Sequence, residues 1–306
     1  MSVAQSLGRR SRLARRPWRP GRAWLSLPVV VYLLAGLLVP IVLIALYSVH
    51  LLTNLIYPPA QFSLETWKSF LPYLHTGTSP YFDRFKISMV ITLVVSTVAV
   101  LTAYPLAFYL AFVAHRRRYT LLLVLLAPFF VSYLLRVYAW TVMLDSNGTI
   151  NSILVELGRR PGHPVEWLFH SKFAIGLVLA YSWIPFVALP IFVVLENLDK
   201  RVLEAAQDLG ANRLSTFARV TLPLSLPGVI AAFVFVLIPT TGEFVAPSLV
   251  GGSDDSMFGN FIQDSFVNTT DWALGGVLAM WLMTVVVLLI ALSARYLTAD
   301  LRSAER

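Results

Sequence analysis

The chain contains no cysteine. Disulfides, thiolate metal sites and cysteine nucleophiles are therefore excluded. Charge is scarce as well. Only 13% of the 306 residues are Asp, Glu, Lys or Arg, where an average soluble domain carries about a quarter. No glycine-rich segment ends in Gly-Lys-Ser or Gly-Lys-Thr, so the chain has no phosphate loop with which to hydrolyse ATP. A Gly-x-Ser-x-Gly elbow and a His-Glu-x-x-His pair are also missing. The five histidines, His50, His75, His115, His163 and His170, lack metal-ligand spacing. The sequence thus offers no catalytic residue and no metal site.

What it does contain is apolar surface. Hydrophobic residues make up 57% of the chain, and the mean hydropathy is +0.72. Few charges and much apolar surface fit a bilayer, where a charged side chain at mid-membrane costs about 2.5–3.5 kcal/mol. Six apolar stretches reach the length of about 20 residues that spans about 30 Å of hydrocarbon. They fall at 26–48, 86–113, 119–144, 173–195, 226–250 and 272–297. The reading is an all-α membrane protein with six transmembrane helices. Residues 26–297 form one membrane domain, with an Arg-rich segment 1–25 before it and a short tail 298–306 after it.

The net charge of +8 is a topology signal, not a nucleic-acid signal, because of where the charges sit. Seven arginines (Arg9, Arg10, Arg12, Arg15, Arg16, Arg19 and Arg22) precede the first span. That span is too long for a signal-peptide core and no small-x-small site follows it, so it reads as an uncleaved helix. With a cytoplasmic N-terminus, Arg116–Arg118, then Lys200, Arg201, Arg213 and Arg219, then Arg295, Arg302 and Arg306 also fall inside. This places seventeen of the 24 basic residues on the cytoplasmic side, as the positive-inside rule requires. Both termini are then cytoplasmic. The larger outside segments are 49–85, with Pro58, Pro59, Pro72 and Pro80, and 145–171, with turns at Asn147-Gly148, Gly158, Pro161-Gly162 and Pro164. Ile150, Ile153, Leu154 and Leu157 have the spacing of a short amphipathic helix. No internal repeat is present.

The most informative segment is a polar island, residues 204–223, inside a cytoplasmic loop 197–224 between the fourth and fifth spans. A loop joining two helices needs only a few residues. This one holds two short helical patterns hinged at Gly210, whose lack of a Cβ suits a left-handed turn. Leu203, Ala206, Leu209 and Ala211 share one face of the first, and Leu214, Phe217, Val220 and Leu222 one face of the second. Pro223 and Pro227 are expected to end the second pattern and re-aim the chain. Small Ala205 and Ala206 allow close approach of a partner, and Glu204 and Asp208 lie four apart on one face.

Glu204-Ala205-Ala206, Gly210, Val220, Leu222 and Pro223 stand at the spacing of the signature loop of bacterial ABC-importer permeases, which this chain resembles. The resemblance extends over nearly the whole chain. Pro128–Trp140, Asn147-Gly148, Ile150-Asn151, Pro185-Phe186, Leu189-Pro190, Gly242–Pro247, Leu249–Gly252 and Asp271-Trp272 are similar to the spermidine/putrescine subfamily. Permeases for opines, ferric ion or thiamine share much of this pattern. The resemblance implies a type I importer fold with a coupling helix between helices four and five. Glu204, Ala205, Ala206, Asp208, Gly210 and Ala211 would then engage a cytoplasmic ATPase. It also implies partners: two ATPase subunits, which bind the ATP and Mg that this chain does not, a second homologous permease, and a periplasmic substrate-binding protein. That protein would dock on 49–85, 145–171 and 251–271. The other surroundings are lipid bilayer, and no nucleic acid is expected.

Ionisable residues inside membrane helices are functional candidates by default. Glu243 lies well within the fifth span after Pro239-Thr240-Thr241-Gly242, a run that invites a break in the helix. Arg136 lies at similar depth in the third span, among Tyr133, Tyr138 and Trp140. Two readings stand for Glu243. It is a ligand for a cationic substrate, helped by ring faces, or a salt-bridge partner of Arg136. Asp145 is a carboxylate at the outer end of the path or a simple cap. Trp183, with Tyr181 and Pro185, is a path aromatic or packing. Thr92, Ser96, Thr97 and Thr102 are expected to bond between helices. An ion-coupled carrier that uses Glu243 as a protonatable site is the rival function, and it has no need of the island.

Overall fold

The computed structural model describes residues 27–52, 62–76, 80–114, 116–157 and 168–304. The Arg-rich start, Pro58-Pro59, the turns at Gly158–Pro164, and His115 and His163 lie outside them. Regular structure among the described residues is entirely helical. Contacts divide the chain after Ile44. The described part of the first unit is Leu27–Ile44, most of helix α1 (Leu27–Ser48), which is apolar along its length and long enough to cross a bilayer. Everything below concerns the second unit, which begins at Ala45.

The second unit opens with α2 (Glu65–Thr76) and the long α3 (Pro80–Phe112). A bent assembly follows, made of α4 (Arg118–Leu126), a 3-10 turn Ala127–Phe130 and α5 (Tyr133–Leu144). Next come α6 (Thr149–Glu156), α7 (Lys172–Glu196), α8 (Lys200–Asp208) and α9 (Arg213–Thr216). A π-helical turn, Phe217–Thr221, leads into α10 (Leu222–Thr241). The chain closes with α11 (Val245–Val250), α12 (Phe258–Val267) and α13 (Trp272–Ala304). Five helical stretches are long and apolar enough to cross a membrane, and a sixth crossing exists if the bent pair counts as one.

That sixth stretch covers the third span expected at 119–144, and it is bent. Its two arms, Arg118–Phe130 and Tyr133–Glu156, meet at 84°. Pro128 removes an N–H donor, although Ala127 before it stays helical. The chain tightens to a 3-10 turn there, and Val131 is extended (φ −86, ψ 140). A correction concerns Pro223 and Pro227, which do not end the helix. Arg213–Thr241 runs as one span. Pro223 sits in the first turn of α10, where a missing N–H is tolerated. The π turn bridges the join, with Leu222 N–H donating to Phe217 O.

The core is α7 packed between α3 and α10. Hydrophobic exclusion gives little drive between helices in lipid, so close contact must come from small residues. Ala99, Ala103 and Ala107 recur every fourth residue of α3 and are fully buried. They meet a core that includes Val178, Leu179, Ala188 and Ile191 of α7 and Ala232 and Val236 of α10. Gly228 brings α10 onto α7, since a Cβ there would fall 2.7 Å from Val194 Cγ2. The polar residues of α3 do not link helices as expected. Thr97 and Thr102 bond back to Leu93 O and Val98 O, each at 2.7 Å, while buried Thr92 and Ser96 hydroxyls have no partner. Ser88 does link elements, accepting from Phe258 N–H at 2.6 Å.

Topology fixes two ends. The segment between α7 and α10, which holds α8 and α9, lies where α7 finishes and α10 starts. The segment holding α11 and α12 lies at the far end of α10. A second, aromatic core sits at that far end. Phe85 packs edge-on against Phe258 at 5.4 Å and Trp281 at 6.1 Å, and Phe70 meets Trp281 at 5.9 Å.

Candidate functional site

At the α8 end, the two short helices hinged at Gly210 are present. Asp199 caps α8 by accepting from Arg201 N–H at 3.0 Å, and Asn212 caps α9 by accepting from Ser215 N–H at 2.8 Å. Between them the backbone closes as a Schellman motif. Gly210 N–H donates to Gln207 O at 2.8 Å and Ala211 N–H to Ala206 O at 3.1 Å. Gly210 has φ +87, and a Cβ there would meet nothing within 4 Å. The glycine is therefore required by its backbone angle, not by crowding. Glu204, Ala205 and Asp208 are exposed, and Ala206 and Ala211 are half-buried. Leu209, expected on the shared inner face, is 90% exposed, and Leu214 is 76% exposed. The island thus presents two large apolar side chains outward beside its carboxylates.

The island is anchored to the bundle. Tyr104 of α3 shares a hydrogen bond with Ser225 Oγ at 2.8 Å. Its ring and that of Phe108 meet Phe217 of the π turn edge-on at 5.8 and 5.7 Å. Nearby in sequence to the island, Glu196 at the end of α7 accepts from Arg118 Nη2 at 2.8 Å and Tyr119 Oη at 2.9 Å, tying α4 to α7.

Deeper in the bundle, the break expected after Pro239 occurs at Gly242–Phe244, between α10 and α11. Glu243 folds back onto the start of α11. Its Oε1 accepts from Phe244 N–H at 3.1 Å, Val245 N–H at 2.8 Å and Ala246 N–H at 3.4 Å. These donors would otherwise be orphaned at a helix start. Gly259 of α12 presses on the break, since a Cβ there would fall 2.5 Å from Gly242 O and 2.6 Å from Glu243 O. Asn260 Nδ2 donates to Phe244 O at 2.9 Å.

Arg136 does not form the anticipated ion pair with Glu243. Among the described residues the ion pairs are Lys86–Asp83, Arg118–Glu196 and Lys172–Asp255. The Arg136 guanidinium lies 4.2 Å from the Phe129 ring centroid and 5.7 Å from that of Tyr133, with Nε and Nη1 buried and unbonded. The Tyr133 hydroxyl is buried close to Glu243, and the Arg136 guanidinium lies beside the same ring.

An aromatic wall continues from Arg136. Phe129 meets Phe186 at 4.4 Å, Phe186 meets Trp183 at 5.9 Å, and Trp183 meets Phe235 at 6.3 Å. Three elements contribute: the bend at 127–130, α7 and α10. The Trp183 indole N–H is buried and unpartnered. Trp140 packs edge-on to Tyr181 at 5.3 Å, one helical turn from Arg136. Tyr138 projects from a different face of α5 and is 60% exposed. Asp145 caps the far end of α5, roughly 14 Å along the axis from Arg136, so it stands apart from this cluster. The structure thus places Arg136 and Glu243 near the same tyrosine, Tyr133, joins Arg136 to Trp183 only through the rings of Phe129 and Phe186, and separates Tyr138 and Asp145 from them. Phe129, Phe186, Phe235 and Asn260 were not singled out from sequence. The three-residue spacing of Trp183 and Phe186 was the one available signal.

The fold and these positions can be set beside known proteins. Residues 84–302 match the model of the family described as binding-protein-dependent transport system inner membrane component. The chain is 36% identical over 211 residues to the spermidine/putrescine transport system permease protein PotB of Escherichia coli (strain K12), covering 69% of this chain and 76% of that protein. The PotB protein of Haemophilus influenzae is 34% identical over 197 residues, covering 64% and 68%. Among solved structures, a bacterial ABC transporter involved in import of the acidic polysaccharide alginate superposes with a TM-score of 0.66 at 16% identity, covering 91% of this chain and 96% of that one. The alginate transporter in complex with an alginate pentasaccharide-bound periplasmic protein gives a TM-score of 0.67 at 17% identity, covering 89% and 93%. The family match covers most of the chain, and the multi-span helical fold agrees with it. The chain belongs to the inner-membrane permease components of binding-protein-dependent transport systems.

Proposed function

We propose that this chain is the translocating subunit of an ATP-driven importer for polyamines of the spermidine and putrescine class. The observation that carries the reading is Glu243, an interior carboxylate held by three backbone N–H groups in a bundle that also carries a wall of aromatic rings. Alkylammonium groups are recognised by carboxylates and by ring faces. The substrate class is further supported by the relatives named for spermidine/putrescine transport at 34–36% identity. Cytoplasmic termini follow from the arginine distribution, which puts α8 inside and α11–α12 outside.

In this reading, two cytoplasmic ATPase subunits bind ATP and Mg, and each permease presents its island to one of them. Glu204, Ala205, Ala206 and Asp208 form the α8 contact, Gly210 and Ala211 set its angle, and exposed Leu209 seats in the partner. The Tyr104–Ser225 bond and the Phe217 ring contacts join this motion to α3 and α10. A second, homologous permease completes the path. A substrate-loaded periplasmic protein docks on the outer segments around α2, α6 and 251–271. Such ligands shift a conformational equilibrium only through unequal affinity for its states. ATP and the loaded binding protein therefore both favour the outward-open state. An incoming ammonium then pairs with Glu243, which has no ion pair to Arg136, while the guanidinium keeps its contact with Phe129.

The test is uptake of labelled spermidine by the complex in liposomes, with ATP on the ATPase side and the loaded binding protein on the other. ATP-dependent uptake, competed by putrescine, supports the reading. Uptake that proceeds without ATP or ATPase contradicts it and favours an ion-coupled carrier. ATP-dependent uptake confined to another solute keeps the importer and removes the polyamine.

A further inference from the structure

We infer that the cleft between α11 and α12 is an outer amine-binding site, with Asp264 as its anion, that hands alkylammonium groups on to Glu243. The inference rests on the polyamine reading and adds a second site to it. The cleft has a volume of about 340 Å³ and is lined by Ser248, Ser256, Asn260, Gln263, Asp264 and Asn268, with the Phe261 ring beside them. No lysine or arginine lines it.

The hydrogen bonds already made decide what this cleft can hold. Asn260 Nδ2 is committed to Phe244 O and to Ser248 Oγ at 2.7 Å. Asn268 Nδ2 is committed to Asp264 Oδ1 at 2.7 Å. Three of the six amide N–H groups are thus consumed within the protein. What remains is rich in acceptors: the second Asp264 oxygen, the Asn268 carbonyl oxygen and the hydroxyls. An ammonium has three donors and no acceptor, so it suits these oxygens, while the Asp264 charge, with no lysine or arginine in the lining, repels an anion.

Asp264 is also placed against its own helix. It stands in the last turn of α12, which has no basic residue there. A helix C-terminus favours cations and disfavours carboxylates. Among the described residues Asp264 has no cationic partner. Carboxylate and helix end together make a locus of negative potential with nothing to balance it.

The cleft is coupled to the break at Glu243. Asn260 lines the cleft and also holds Phe244 O, next to Glu243, while Gly259 packs onto the carbonyls of Gly242 and Glu243. Asn260 and Asp264 are one helical turn apart, roughly 6 Å along the axis. A substrate with amines spaced along a flexible chain can thus engage Asp264 while its leading ammonium reaches the break.

The experiment uses the assembled complex in lipid nanodiscs without the binding protein, with spermidine as the probe in calorimetry. Asp264→Asn is expected to weaken spermidine binding about tenfold or more, and Asp264→Glu to keep it within about threefold of wild type. Unchanged binding in Asp264→Asn overturns the inference. So does a variant that binds spermidine normally but captures the periplasmic protein poorly, since Asp264 would then serve docking. Spermidine uptake by the wild type is measured in parallel. If the wild type imports spermidine and Asp264→Asn binds normally, the outer site alone falls. If the wild type neither binds nor imports spermidine, the polyamine reading falls and the outer site with it.

Discussion

Arg136 and Glu243 both lie close to the buried Tyr133 without forming an ion pair with each other. Each charge is settled elsewhere. Glu243 is held by the backbone at the start of α11, and Arg136 lies over the Phe129 ring. Their unequal settlement decides what each contributes. A carboxylate with three N–H donors is well satisfied. A guanidinium with two buried, unbonded nitrogens keeps only a cation–π contact of about 0.5–2 kcal/mol against a larger desolvation cost.

Arg136→Met should therefore separate stability from transport. Replacing a poorly satisfied buried charge by an apolar chain of similar length is neutral or stabilising. The unfolding midpoint of the complex should stay level or rise, while spermidine uptake falls about tenfold. A marked drop in the midpoint would show that Arg136 is structural.

Gly210→Val tests the hinge between α8 and α9. At φ +87 an L-residue is strained by about 1–2 kcal/mol, and a β-branched one by more. No neighbour is close enough to clash, so the defect is one of chain direction. Uptake should uncouple from ATP hydrolysis, with membrane insertion intact. Gly210→Asn, which tolerates the left-handed region, should retain most coupling. Normal uptake in Gly210→Val contradicts the hinge.

Gly228→Ala tests the α7–α10 contact. The added methyl would sit 2.7 Å from Val194 Cγ2, an overpacking worth about 1–3 kcal/mol. Val194→Ala should relieve it in the double variant, and thermal unfolding of the four members of the cycle measures the coupling. Additive effects would mean that the helices move apart to accommodate the methyl.

How far the sequence could be read varies with the signal. Five spans, the hinge at Gly210 and the break after Pro239 follow from hydropathy and from glycine and proline chemistry. The same chemistry misleads at Pro223. A proline states that an N–H is missing but not whether the surrounding turn can absorb the loss. At Pro223 a π turn lets the helix continue, whereas the third span bends by 84° at the extended residues Val131 and Ser132. Thr92 and Ser96 have the spacing to bond between helices, yet buried alanines bring α3 and α7 together and the hydroxyls remain unpaired. The aromatic wall was hidden for another reason. Phe129, Phe186 and Phe235 come from three separate elements, and one chain's hydropathy carries no record of which distant rings meet. Asp264 lay in a segment read only as part of an outer loop, since nothing in its sequence marks the cleft.

The central claim is that the Glu243 carboxylate carries a polyamine through this subunit. Its most direct test is ATP-dependent uptake of labelled spermidine by the reconstituted complex carrying Glu243→Gln. The amide keeps the size and the acceptor oxygen that caps α11 but removes the charge. The account predicts uptake reduced about tenfold or more, with the complex assembled and ATP hydrolysis still responsive to the loaded binding protein. Wild-type uptake by Glu243→Gln would contradict it and leave Glu243 as a helix cap alone.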